Sequence, residues 1–538
     1  MSQLDRGNVS SPVRIIVRYN GSYDGLRSIC KVTLTPRSLL RYLYIMTKND
    51  EFLVLTEMPK AQRSPRWILI TAALFALVAS AVVLVSSRPS SGAGMTTRVM
   101  SVGDLPAGWS VDPAPATSVL SHNKCLVGLG TGSGAKTDES TADFTENSSL
   151  PIFHELLSSG REHKAGFKKA VKALSNCAML TFVEGGKTIH GTIQPLSLGN
   201  VGATSAAFTL SFTISNINIV ADLVVFETHS YAGELEYTDI AAPQVSTVQS
   251  LAQEAVMKAE GKAVSAPKIP MSIVSAPVRV AHTARGKVAY REIGSGPPLV
   301  LIAGYGSTMQ VWDRWFVDSL AENHRVVIFD NAGIGKTAKL PKPLTVDEMA
   351  NQTSALITTL GLKQPSLLGW SMGGMIAQAL AVQHPSQVGR LALCATYPGT
   401  GTVVPPQANI DALTSGNAKK ELAQLFPADQ SDAQSTYLVA VSEFPPGPSA
   451  SKAVVTAQAG ASLMWFDGDD PAGMKTGQIS VPTLVADGMV DRLNPIANAH
   501  HIASLITGST LVLYPDAGHA FLFQDQAAFV PVIESFLK

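Results

Sequence analysis

From residue 278 onward, short apolar runs alternate with stretches of helical spacing. Residues 287–291, 298–303, 325–329, 366–370, 390–396, 482–486 and 509–514 read as strands, several of them apolar throughout and so buried on both faces. Residues 315–321, 346–360 and the stretch after Ser371 carry helical patterning. Strand and helix in turn predict an α/β domain over 278–538 with a mainly parallel sheet. Residues 398–475 break the alternation with frequent Pro, Gly, Ala and Ser, short helices, and Trp465 beside Phe466. An insert there covers the end of the sheet and is expected to act as a cap that shapes a pocket and excludes water.

The pattern before residue 278 is different. Residues 96–262 predict a small α+β domain. Helical spacing appears at 153–157, 168–174 and 246–258; strand character appears at 179–183, 187–194, 206–214 and 219–226; a Gly/Ser/Thr-rich loop is expected at 130–149. Pro267, Pro270 and Pro277 mark 263–277 as a linker, and 86–95 reads as a tether. Residues 67–85 are apolar and uncharged, directly after the basic segment 1–66 with Lys60, Arg63 and Arg66. That run is long enough for a membrane span. The Lys/Arg bias then places the N-terminus in the cytoplasm and everything after residue 85 outside. A second reading starts at Met58: the chain then opens on an export signal, 1–57 is an over-called start, and the protein is secreted after cleavage.

Lys+Arg and Asp+Glu both number 41. With no basic stripe, nothing points to nucleic acid. Four cysteines do not make a disulfide scaffold. If 96–262 is exported, Cys125 and Cys177 are expected to pair; the alternative is two buried thiols. No metal and no cofactor is expected. Gly333-Ile334-Gly335-Lys336-Thr337 looks like the end of a phosphate loop, but that pattern needs glycine where Asp330 stands, so no nucleotide is expected.

The candidate chemistry centres on Gly369-Trp370-Ser371-Met372-Gly373. An apolar strand enters this motif and an apolar helix leaves it, the sequence form of a nucleophile elbow. Glycines on either side let strand and helix approach closely. Asp491 and His519 follow further along, each just past a predicted strand. The order Ser371, Asp491, His519 is that of one large class of serine hydrolases. Asp487 competes with Asp491 for the acid position.

The stretches Pro298 to Gly306, Phe329 to Gly335, Gly369 to Gly374, Asp487 to Asp491 and Asp516 to His519 resemble the α/β-hydrolase superfamily, in the branch of cofactor-free haloperoxidases, lactonases and carbon–carbon bond hydrolases. The resemblance implies Ser371 as nucleophile, His519 as general base and Asp491 as orienting acid. The backbone N–H groups of Tyr305 and Met372 would form the oxyanion hole. Trp370, Trp465 and Phe466 are candidate pocket walls. The chain departs from the family at Ala303-Gly304, where His-Gly is usual. The implied activity is hydrolysis of esters or lactones with an apolar part. Carbon–carbon bond hydrolysis and perhydrolysis are alternatives on the same triad, and a non-enzymatic envelope ligand-binding protein is a third. Leu105-Pro106-Ala107-Gly108-Trp109 and the two cysteines give 96–262 a loose resemblance to exported α+β domains of actinobacterial envelope proteins.

Overall fold

The computed structural model describes residues 44–46, 52–54, 95–106, 109–112, 139–146, 150–159, 163–184, 187–199, 201–214, 217–240, 245–265, 267 and 270–538. The chain divides into two compact units, Met1–Trp67 and Ile68–Lys538. In the first, Tyr44–Met46 pairs antiparallel with Phe52–Val54. Residues 67–85 and Cys125 lie outside the described residues. No helix among the described residues is long and apolar enough to cross a membrane, and the single-pass membrane placement is corrected on that finding.

The second unit holds two eight-stranded sheets. The first is built from β1 (Trp109–Val111), β2 (Glu139–Glu146), β3 (Ile152–Ser159), β4 (Met179–Glu184), β5 (Lys187–Leu196), β6 (Thr204–Ile214), β7 (Ile217–Glu227) and β8 (Tyr231–Asp239), in the order β1-β2-β3-β8-β7-β6-β5-β4. All its pairings are antiparallel. Helix α1 (His163–Ser175) packs Phe167, Ala170 and Leu174 on one face with Leu210, Leu223 and Val225. Helix α2 (Val245–Ala259) packs Val248, Leu251 and Ala255 on the other with Phe153, Leu157 and Leu235.

Three expectations change here. The helical spacing at 153–157 belongs to strand β3, which is buried along nearly its whole length. A strand covered on both faces need not alternate, so its apolar positions can mimic helical spacing. The loop expected at 130–149 contains β2, a strand too polar to stand out. Strand β8 was hidden by Glu234 and Glu236, which are buried.

The second sheet contains β9 (Arg279–Thr283), β10 (Gly286–Ile293), β11 (Pro298–Ile302), β12 (Arg325–Phe329), β13 (Ser366–Trp370), β14 (Leu391–Cys394), β15 (Thr483–Gly488) and β16 (Thr510–Tyr514), in the order β9-β10-β12-β11-β13-β14-β15-β16. The first two strands add antiparallel; the rest run parallel. Helices cover both faces, which is why β13, β14 and β15 are almost wholly buried. Helix α3 (Arg314–Ala321), capped by Asp313, packs on one face. Helices α4 (Val346–Thr359) and α5 (Met372–Gln383) pack on the other. The insert after β14 forms α6 (Gln407–Leu413), α7 (Ala418–Leu425), α8 (Ser431–Ser442) and α9 (Lys452–Phe466). After β15 come α10 (Ala497–Leu505) and, past β16, α11 (Phe521–Gln524) and α12 (Gln526–Leu537).

The two sheets are tied together. Trp315 of α3 and Val439 and Ala440 of α8 belong to the α1-side core of the first sheet. Arg314 lies between the three segments, paired with Asp239 of β8 at 2.5 Å and with Glu443 just after α8. The segment read as a linker is packed where it approaches β10. The guanidinium of Arg291 donates to the carbonyls of Ile273, Val274 and Ala276 at 3.2, 2.9 and 2.5 Å.

Many acids are buried, and burial is the main cause raising Glu155 to about 8, Asp313 to about 7 and Asp318 to about 6. Such groups hold a proton in the fold that the unfolded chain releases near pH 4. Their contribution is therefore full below the unfolded value and is lost as pH rises through the folded value. The thermal midpoint is expected to be highest near pH 5 and to fall toward pH 8. Glu155, wholly buried and accepting from Met100 N at 2.7 Å, adds a slope of about 1.4 kcal/mol per pH unit. A Glu155→Gln variant should flatten the curve of midpoint against pH; an unchanged slope would remove Glu155 from this account.

Candidate active site

Ser371 stands between β13 and α5 with φ 58 and ψ −124. A non-glycine residue there is strained, and it persists only where its surroundings hold it. The surroundings are visible. Ser371 N–H donates to Cys394 O at 2.9 Å, and Thr396 Oγ donates to Ser371 O at 2.6 Å. The flanking glycines permit the turn. A Cβ on Gly369 would fall 2.4 Å from Gly373 O, and one on Gly373 would fall 1.9 Å from Ile302 O. Both collisions are with backbone, so Gly373→Ala is expected to cost more than about 4 kcal/mol or to prevent folding. Chemical unfolding of the purified variant, or its absence from the soluble fraction, checks this. Helix α5 begins at Met372, so its N-terminal end stands at the serine; in its first turn Gly374 N–H donates to Ser371 O at 2.9 Å.

The loop after β11 passes over this turn. A Cβ on Gly304 would lie 3.2 Å from Ser371 Cβ and 3.7 Å from its Oγ. Tyr305 follows, half-buried. The loop is held on two sides: Asn331 Nδ2 donates to Ala303 O at 2.9 Å, and Gly306 N–H donates to Gln458 Oε1 of α9 at 2.8 Å. These contacts fix the loop although Ala303 replaces the family's usual histidine. Asp330 holds the next stretch by accepting from Met309 N at 2.7 Å.

His519 is brought to the same place. Its Nδ1 lies 2.7 Å from Asp491 Oδ2, with both side chains buried. The indole N–H of Trp370, adjacent to Ser371, donates to His519 O at 2.9 Å. Asp491 Oδ1 accepts the N–H groups of Leu493 and Asn494 at 2.7 and 2.8 Å. Asn494 also donates its amide to Thr396 O and to Asp487 Oδ2, at 2.9 and 2.6 Å. The carboxyl of Asp487 is wholly buried beside Asp491; burial first, then the Asp491 charge, push it well above the ordinary carboxylate range. Of the two acids weighed from sequence, the one in contact with the imidazole is Asp491.

The remaining candidates separate. Trp370 is buried among Trp312, Phe523 and His519, with the last two ring centroids 5.3 and 5.6 Å away. Trp465 is fully buried and donates to Tyr397 O at 3.2 Å. Both indole N–H groups are thus held by backbone carbonyls. Phe466 is only partly buried and lies 4.7 Å from the Tyr397 ring. Cys177 is disulfide-bonded, while its candidate partner Cys125 lies outside the described residues. Among the described residues no three His, Cys, Asp or Glu side chains stand together as metal ligands. Asn331, Thr396, Gln458 and Asn494 were not singled out from sequence. Only Asn494 had a local signal, three residues after Asp491 where an aspartate side chain can cap the following turn.

Residues 297–526 match the family model described as the alpha/beta hydrolase fold. The C-terminal half of the chain belongs to the α/β-hydrolase superfamily. A 2-hydroxymuconate semialdehyde hydrolase from Pseudomonas sp. (strain CF600) is 24% identical over 280 residues, covering 51% of this chain and 95% of its own. A pimeloyl-[acyl-carrier protein] methyl ester esterase from Aliivibrio salmonicida (strain LFI1238) is 28% identical over 270 residues, covering 46% of this chain and 94% of its own. A 2-hydroxy-6-oxo-6-(2'-aminophenyl)hexa-2,4-dienoic acid hydrolase from Metapseudomonas resinovorans is 28% identical over 266 residues, covering 46% and 87%.

Proposed function

We propose that the α/β-hydrolase domain is a serine hydrolase cleaving esters or lactones of modest size through an acyl-enzyme. The observation that carries this reading is the buried 2.7 Å contact of His519 with Asp491 beside the strained Ser371 turn. In the mechanism, His519 Nε2 takes the proton of Ser371 Oγ as that oxygen attacks the carbonyl carbon. Asp491 holds the Nδ1–H tautomer and stabilises the imidazolium. The negative charge on the carbonyl oxygen meets the N–H groups of Met372 and Tyr305; losing one such donor costs about 3 kcal/mol of transition-state stabilisation. The tetrahedral intermediate collapses, His519 returns the proton to the leaving alcohol, and the acyl group stays on Ser371. Water, activated by the same imidazole, releases the acid.

Burial first, then the Asp491 charge, raise the Asp487 carboxyl, a direction that favours its proton-bearing form and suits this scheme. The methyl ester esterase among the similar proteins supports the ester reading, and the two hydrolases with semialdehyde and dienoic acid substrates support carbon–carbon cleavage as a second reading on the same residues. The test is covalent labelling of the whole protein with a fluorophosphonate, peptide mapping of the label, and a chain-length series of nitrophenyl esters. Label on Ser371 with ester turnover is the expected result. A folded protein that takes no label and turns over no ester would sink the proposal in favour of ligand binding without chemistry.

A further inference from the structure

We propose that Gln458 of the cap helix is the polar recognition group of the substrate pocket, donating its amide N–H to a second acceptor oxygen in the substrate's acyl chain. This rests on the serine hydrolase reading and deepens it. The buried face of α9 consists of Val454, Gln458, Ala461 and Trp465. Three of these pack as apolar side chains do; Gln458 is wholly buried and polar. A buried amide is retained where both of its ends are used.

One end is accounted for. Gln458 Oε1 accepts the N–H of Gly306 at 2.8 Å. Because Gly306 can only donate, the carbonyl oxygen must face it, and the amide's orientation is thereby fixed. The other end is Nε2, with two donors, and it has no acceptor among the described residues. It sits beside the loop that passes over Ser371, since a Cβ on Gly304 would lie 3.7 Å from Ser371 Oγ. Val455 of α9 reaches the same loop: a Cβ on Gly306 would lie 3.9 Å from it, in ordinary van der Waals contact. A desolvated donor at this place is satisfied by an acceptor that arrives with the substrate. The chemistry selected is an ester whose acyl chain carries a keto, hydroxyl or ether oxygen. A site with a committed donor then disfavours the plain hydrocarbon ester, which leaves that donor unpaired.

The experiment compares nitrophenyl alkanoates with their mono-oxo counterparts, the keto group being moved one carbon at a time. Wild type is expected to prefer the best-placed oxo ester by about tenfold in kcat/KM, mostly through KM. Gln458→Met deletes both ends of the amide; the preference should fall to about unity, and kcat for both esters should drop as the loop loosens. Gln458→Glu keeps an acceptor for Gly306, so kcat for the hydrocarbon ester should stay nearer wild type. Its oxo preference should exist only where the introduced carboxyl is protonated and vanish as pH rises, because a carboxylate cannot donate. A merely structural Gln458 would leave the oxo-to-hydrocarbon ratio flat with pH. A labelled, active wild type with no oxo preference at any position, or a preference unchanged in both variants, overturns the assignment and leaves the hydrolase reading standing. A wild type that neither labels nor hydrolyses takes both down.

Discussion

Replacing Ser371 by alanine is expected to abolish fluorophosphonate labelling and to lower ester turnover by about 10⁴-fold or more. The proposed chemistry runs through one oxygen, Ser371 Oγ. His519→Ala should fall to a similar level, because an unactivated serine is a poor nucleophile near neutral pH. Asp491→Asn should also cost on the order of 10⁴-fold, since the amide presents a donor where Nδ1–H needs an acceptor. The Ser371→Ala, His519→Ala double variant should be little worse than either single one, as the groups act as a unit. Burst kinetics and active-site titration give the readout, with the unfolding midpoint showing that each variant is folded. Turnover within tenfold of wild type in Ser371→Ala would remove the nucleophile assignment.

Arg314→Met should destabilise the second unit by about 3–5 kcal/mol, the usual cost of removing one partner from a buried charge cluster. The guanidinium meets both oxygens of Asp239, at 2.7 and 2.5 Å, and pairs with Glu443, with Asp318 Oδ2 3.8 Å away. Side-chain exposures of 4%, 6% and 2% for Arg314, Asp239 and Glu443 leave no water to replace it. Trp315 remains as a donor to Asp239 at 3.0 Å, which is too little for the charges left behind. The loss should be smaller at pH 5 than at pH 8, because burial raises Asp318 to about 6 and its carboxyl takes up a proton at the lower pH. Urea unfolding at the two pH values checks both size and sign. Equal losses at both would mean the cluster matters through packing alone. Glu443 lies just after α8 of the insert and Asp239 ends β8, so the variant is also expected to loosen the insert against the first sheet. Hydrolysis of longer esters should respond before that of acetate.

The alternation of apolar runs and amphipathic stretches after residue 278 was enough to predict the parallel sheet and its order of elements. Each β-strand buried on both faces and each capped helix is specified within a few consecutive residues. The elbow belongs to the same class. Gly369, Ser371 and Gly373 are contiguous, and the collisions that demand glycine arise between segments the motif itself joins, together with the neighbouring β11. The first sheet was legible in part. Its long strands β5, β6 and β7 show in apolar patterning, whereas β2 and β8 carry acids whose burial only the covering layers explain.

What the sequence determined by itself was therefore local: the strand–turn–helix at Ser371, the positions of Asp491 and His519 after strand ends, and the α/β order around them. Tertiary structure decided everything that depends on who meets whom across long separations. It set the indole N–H of Trp370 on His519 O and that of Trp465 on Tyr397 O. It brought Asp491 rather than Asp487 to the imidazole and left Asp487 where burial raises its carboxyl well above the ordinary range. It joined Asp239, Arg314 and Glu443, and it set Gln458 against Gly306. The physical reason is common to all four. Burial and hydrogen-bond partnership belong to pairs of distant residues, and no periodicity within one segment records them.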